Sequence, residues 1–126
     1  MTDRSSWPIV ALFHGSRNPG ANTKARVLVK KLTASLDSRH VEVAFLTLAK
    51  PGLKEVISRL AVSNPRRITI VPVFLFKGTH VTHDIDAIVA EVKADFPVQK
   101  IVIAEPIGAC PELVAILEQR IDSAEL

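Results

Sequence analysis

Two short segments carry the residues whose types could do chemistry. The first is "HGSRNPG", His14 to Gly20, directly after the apolar run "IVALF". The second is "KGTHVTHD", Lys77 to Asp84, directly after "VPVFLF". A plain turn calls for Gly, Pro or Asn and has no need of a histidine at its first step. Two neutral imidazoles, His14 and His80, suit a borderline divalent metal such as iron, cobalt or nickel. They also suit proton removal near neutral pH, because imidazole titrates around ~6.5. Gly15 and Gly78 would let backbone come close to a flat or bulky ligand. Arg17 and Lys77 could meet carboxylates, and Ser16 and Thr79 complete the two polar segments as candidate ligand contacts.

Each of these residues also has a plain structural reading. A single histidine after a strand is often a turn or surface residue, and that reading stands beside the functional one for His14 and His80 taken singly. Their occurrence in two matched loops strengthens the pair. His83 is either a third ligand, since i and i+3 share a helix face, or a solvent-facing residue at a helix start. His40 precedes the second apolar run and reads as surface. Asp84 reads as serving the first turn of its helix, where a carboxylate favours the dipole. Cys110 stands at a helix start, where a thiol can be acidified, but it has no companion motif and reads as structural.

The elements that must position the two segments are legible as four apolar runs, Ile9–Phe13, Val41–Leu48, Ile68–Phe76 and Lys100–Ala104. Their apolar residues are near-continuous, the pattern of strands buried on both faces of a parallel sheet. Each is followed by an apolar stripe at helical spacing: Ala25, Leu28, Val29, Leu32 and Leu36; Leu53, Val56, Ile57 and Leu60; Ile85, Ile88, Val89 and Val92; Leu113, Ile116, Leu117 and Ile121. Pro51 and Pro111 sit near helix starts, and Pro65 and Pro97 follow helices. The order is β-α-β-α-β-α-β-α, which predicts an α/β fold: a three-layer αβα lobe with a four-stranded parallel sheet, one domain over residues 1–126. Pro72 conflicts with its place inside the third run, where proline removes a ladder donor, so a bulge or bend is expected there, close to the end of that strand. In open parallel sheets ligands bind beyond the carboxyl ends of the strands, where the strand order reverses. If the first strand lies beside the third, His14 and His80 share that crevice.

Composition narrows the partners. The chain has 126 residues, 48% hydrophobic and 23% charged, ordinary values for a folded soluble domain. The net charge of +3 comes from scattered basic residues. That suits an acidic small molecule and argues against nucleic acid, as does an aromatic content of 5% with no stacking platform. One cysteine allows no internal disulfide and fits a reducing compartment. No segment approaches the ~20 apolar residues that span a bilayer, and the first residues lack a signal-peptide layout. The expected location is the cytoplasm, with no membrane partner.

With these residues in view, a resemblance emerges. "ALFHGSRNPGAN" resembles the opening motif of the small sirohydrochlorin chelatases of the CbiX/SirB type, and "VPVFLFKGTHVTHDID" resembles their second motif. "VEVAFLTLAKPGL" is similar to a weaker segment between them, and "AEPIGACPELVAILEQRI" to their last strand and helix. The likeness covers nearly the whole chain. It implies a class II, chelatase-like lobe that inserts a divalent metal into sirohydrochlorin or a related tetrapyrrole without ATP, in cobalamin- or siroheme-type tetrapyrrole biosynthesis. Cobalt ranks first, with iron and nickel behind it, and no cofactor is implied beyond that metal substrate. Members of this length resemble one lobe of the longer ones and pair as homodimers. The resemblance makes His14 and His80 the metal-binding and catalytic histidines. One position departs: many members carry a glutamate where this chain has Thr47, and His83 stands where a Glu or another polar residue is common.

The chemistry implied is removal of inner pyrrole protons as the metal enters a bent ring. Only a neutral imidazole can hold the metal or accept such a proton. Two rivals remain. One is a non-catalytic module that binds or carries metal or tetrapyrrole, motivated by the missing glutamate. The other, ranked lower, is phosphoryl transfer or phosphatase chemistry at a glycine-rich loop that opens a helix. Against it, Phe13 stands where a phosphohistidine phosphatase places an arginine, and no Gly-x-x-x-x-Gly-Lys pattern occurs.

Overall fold

The run "IVALF" forms strand β1 (Ile9–Phe13), whose first four residues are buried. Around it, a computed structural model describing residues 6–37 and 39–126 places α1 (Pro19–Ser35), β2 (Val41–Phe45), α2 (Leu53–Val62), β3 (Ile68–Pro72), α3 (Thr79–Asp95), β4 (Ile101–Ile103) and α4 (Pro111–Ala124). The strands make one parallel sheet in the order β2-β1-β3-β4. Ile9 pairs with Val41 on one side and Thr69 on the other, and Ile68 pairs with Ile101. The first strand therefore does lie beside the third, and the order reverses between them.

The two faces of the sheet are filled unequally. Val10, Leu12, Ala44, Ile68 and Ile70 share one face and pack with Leu53, Val56, Ile57, Leu60 and Ala61 of α2 and Ile85 and Val92 of α3. This is the core, and the period-2 alternation of strand side chains selects its members. On the other face α1 buries Asn22, Ala25 and Val29. Helix α4 buries none of its residues and leaves Val114, Ile116, Leu117 and Ile121 about half exposed. The expected burial on both faces holds for β1, whereas β3 alternates and β4 is only partly covered.

Three strands are shorter than the apolar runs that announce them. β2 ends at Phe45, yet the chain stays beside β1 for two more residues: the Leu46 N–H donates to Phe13 O at 2.9 Å and the Thr47 N–H to His14 O at 3.0 Å. It then turns at Leu48, whose φ is +65°. β3 ends at Pro72 itself rather than bulging around it. In this strand even-numbered residues donate toward β4, as Ile68 does to Lys100 O, and odd-numbered ones toward β1, as Thr69 does to Pro8 O and Val73 to Leu12 O. The missing N–H of Pro72 thus falls on the β4 side, past Ile103 where β4 stops, and costs the ladder little.

Candidate functional site

His14 is the first residue past β1 and is fixed by its backbone rather than its ring. Its carbonyl takes the Thr47 N–H at 3.0 Å, while the exposed ring has Nδ1 3.3 Å from Gly15 O. Gly15 has φ +99°, and a Cβ placed on it would stand 1.7 Å from the Thr47 carbonyl oxygen. The glycine is therefore demanded by the chain's own crossing against the β2 loop, and not by space for a ligand as the sequence reading expected. Gly78 is the position with room: a Cβ there would meet nothing within 4 Å.

The rest of the first segment is tied to α1. The Ser16 N–H donates to Asn22 Oδ1 at 3.0 Å, and Asn22 Nδ2 donates back to Ser16 O at 2.8 Å. Ser16 Oγ accepts the Asn18 N–H at 3.0 Å, and Asn18 Oδ1 caps the helix by accepting from Gly20 at 2.9 Å. Pro19 takes the first helical position, where its missing N–H costs nothing. Arg17 projects between these anchors and is exposed. Asn22 was not among the sequence candidates. Its signal is its place on the buried stripe of α1 with Ala25 and Val29, where an amide stays only if both its ends are bonded.

The second segment opens α3. Gly78 is the N-cap, its carbonyl taking both the N–H and the hydroxyl of Thr82 at 3.0 and 2.9 Å. His80 is in the first turn, its side chain 92% exposed and its Nε2 3.5 Å from Asp84 Oδ2 one turn on. Asp84 therefore serves the His80 ring and not the helix start, because α3 begins at Thr79 and holds no acid in its first turn. His83 lines an open groove of about 320 Å³ with Lys77, Thr79, Thr82 and Asp86. Neither His14 nor His80 borders that groove, so it gathers Lys77, Thr79 and His83 apart from the two histidines. Among the described residues no group of three or more His, Cys, Asp or Glu is arranged to hold a metal ion.

Topology puts His14 and His80 at one edge of the sheet: β1 and β3 are hydrogen-bonded neighbours at the reversal of strand order, His14 directly follows β1, and His80 lies in the first turn of the helix that follows β3. Thr47 joins them at the end of β2, rooted beside His14 by the backbone hydrogen bond between them. His40 lies at the opposite end of the sheet, as expected, with its ring on Glu42 at 2.7 Å. Arg59 reaches the same carboxylate through both Nη atoms. The Arg59 guanidinium holds the Glu42 carboxyl below its ordinary value, against an opposing push from partial burial and with the His40 ring assisting. Cys110 is the N-cap of α4, half-buried and not in a disulfide, and it makes no side-chain cap bond.

A four-stranded parallel α/β lobe with two histidines at its switch point belongs to the chelatase type of fold. The chain is a member of the CbiX family, whose profile matches residues 8–124. It is similar to the sirohydrochlorin cobaltochelatase of Methanopyrus kandleri (strain AV19), 31% identical over 136 residues that cover 92% of this chain and 95% of that one. It is also similar to the sirohydrochlorin ferrochelatase of Priestia megaterium, 29% identical over 118 residues, 94% of this chain and 44% of that one. In structure it resembles SirB from Bacillus subtilis, solved with Fe3+, with a TM-score of 0.86, 25% identity, and coverage of 96% of this chain and 48% of that one. The chain thus spans about half the length of some relatives and nearly all of others.

Proposed function

We propose that this protein inserts a divalent metal into sirohydrochlorin without ATP, with His14 and His80 holding the incoming metal and one of them accepting a pyrrole proton. The observation that carries the reading is the placement of two exposed histidines at the carboxyl ends of adjacent strands, in a chain whose relatives bear the names of sirohydrochlorin chelatases. Exposure matters, because a ring already committed to a buried partner could neither take up a metal nor turn toward a macrocycle. Asp84 supports the assignment of His80. Its carboxylate, 3.5 Å from Nε2, can orient the ring toward a metal. Arg17 and Lys77, with Ser16, Gly78 and Thr79 beside them, suit the carboxylates around the ring's rim.

Cobalt is the metal ranked first, supported by the near full-length match to a relative named a cobaltochelatase. The active form is a homodimer in which a second copy takes the place of the second half of the longer relatives. The match to 48% of SirB and the apolar side chains left open on α4 support it. The lone Cys110, in no disulfide, suits a reducing cytoplasm.

The test is anaerobic incubation of the protein with sirohydrochlorin and, separately, Co2+, Fe2+ and Ni2+, following the absorbance change against a no-enzyme control. Acceleration establishes a chelatase and ranks its metals. A bound spectrum without acceleration establishes the carrier reading that Thr47, in place of an acid, motivates.

A further inference from the structure

The carboxyl edge of the sheet carries more exposed apolar surface than its loops need for folding. Val73 donates to Leu12 O at 2.8 Å, and Phe74 packs against the core. The next two residues reverse this: Leu75 is 52% and Phe76 69% exposed. They do not stand on a slack loop. Ile107 donates to Phe74 O at 3.1 Å and Gly108 to Leu75 O at 2.6 Å, so the segments leaving β3 and β4 are laced together past the ends of their strands. Gly108, at φ +63°, makes the turn that allows it. Leu75 and Phe76 thus form a braced ledge, with Ile107 half exposed beside it, and Lys77 and His80 follow directly in sequence. Across the sheet, beyond His14, Leu48 is also 52% exposed.

We propose that Leu75 and Phe76 are the platform on which one face of the tetrapyrrole rests, setting the ring's distance from His80. The inference rests on the chelatase reading and names the residues that bind its organic substrate. The charge pattern favours a macrocycle over another protein surface. The ledge is apolar in its middle, with Lys77 adjoining and Arg17 on the neighbouring loop against Glu105 on the β4 segment, and the two cations suit a flat apolar plane with an anionic rim. An aromatic side chain supplies a rigid face to such a plane at small entropic cost.

The experiment compares wild type with Phe76→Ala and Phe76→Leu in metal insertion, in equilibrium titration with metal-free sirohydrochlorin, and in mass by light scattering. Phe76→Ala is expected to raise KM for sirohydrochlorin and weaken its binding by roughly tenfold. Phe76→Leu is expected to recover part of that loss, with the dependence on Co2+ and the mass unchanged. In Phe76→Trp, indole emission from the ledge is expected to be quenched on adding the macrocycle, while Phe76→Leu with Trp7 alone gives the background. Unaltered sirohydrochlorin binding in Phe76→Ala overturns the ledge while leaving the chelatase reading in place. A fall in mass that accounts for the loss overturns it too and assigns the ledge to contact between copies. Wild type that neither binds sirohydrochlorin nor accelerates insertion removes both the ledge and the reading beneath it.

Discussion

The side-chain amide of Asn22 closes on the backbone of Ser16 from both ends, accepting its N–H at 3.0 Å and donating to its carbonyl at 2.8 Å. One buried side chain on α1 thereby sets the path of the loop that carries His14. Each such hydrogen bond contributes about 1 kcal/mol. Asn22→Ala should therefore lower stability by roughly 2 kcal/mol in denaturant titration and slow metal insertion beyond what the unfolded fraction explains. Asn22→Asp keeps the acceptor and loses the donor, so it should fall between. An Asn22→Ala protein with wild-type turnover would show that the clamp does not position the loop.

Gly15 allows no side chain. The clash with the Thr47 carbonyl and the positive φ act together, so Gly15→Ala must push the β1 and β2 loops apart. A loss of about 2–3 kcal/mol is expected, with the His14–Thr47 hydrogen bond broken. Gly78→Ala, facing open space at an ordinary φ, should be stable within about 0.5 kcal/mol. Thermal denaturation of the two variants side by side checks the contrast.

The cluster at the far end of the sheet gives a pH-dependent stability. Arg59 and His40 lower the Glu42 pKa in the folded protein. Its contribution is therefore present above the unfolded carboxylate value of about 4.3 and is lost as pH falls through the lower folded value. Glu42→Gln should cost about 1 kcal/mol at pH 7, and the gap to wild type should close as pH falls below the unfolded carboxylate value and through the lower folded one. Metal insertion at pH 7 should be unaffected, since the cluster lies at the opposite end of the strands from His14.

Thr47 stands one backbone hydrogen bond from His14, at the position where the family resemblance calls for an acid. Thr47→Glu would add a hard oxygen ligand beside the histidine. Co2+ binding, followed by calorimetry, should tighten by roughly tenfold. An unchanged affinity would place this side chain outside the metal's reach.

The order of elements, the parallel sheet and the place of the two histidine segments after β1 and β3 were legible, although the second segment opens α3 and is not a loop, because they rest on local patterns: apolar runs, helical stripes, and proline and glycine punctuation. Three things were not. The strands stop at Phe45, Pro72 and Ile103, short of the apolar runs, because a strand extends only as far as its ladder pairing, and pairing is nonlocal. Gly15 answers to Thr47, a neighbour 32 residues away in sequence that only the fold brings close. Asp84 turned out to face His80 because α3 starts at Thr79, earlier than the sequence reading of Asp84 assumed, and a one-turn shift changes a dipole partner into a ring partner. Asn22 was visible only as a polar residue on a buried stripe.

The most direct test is the initial rate of anaerobic Co2+ insertion into sirohydrochlorin by wild type, His14→Ala, His80→Ala and the double variant. The exposed rings bear little on folding, so all four proteins should unfold alike. Each single variant should lose at least about 100-fold in rate, and the double variant should match the no-enzyme control. Single variants that insert cobalt as fast as wild type would contradict the account, because the switch point of the sheet would then not be where the metal meets the ring.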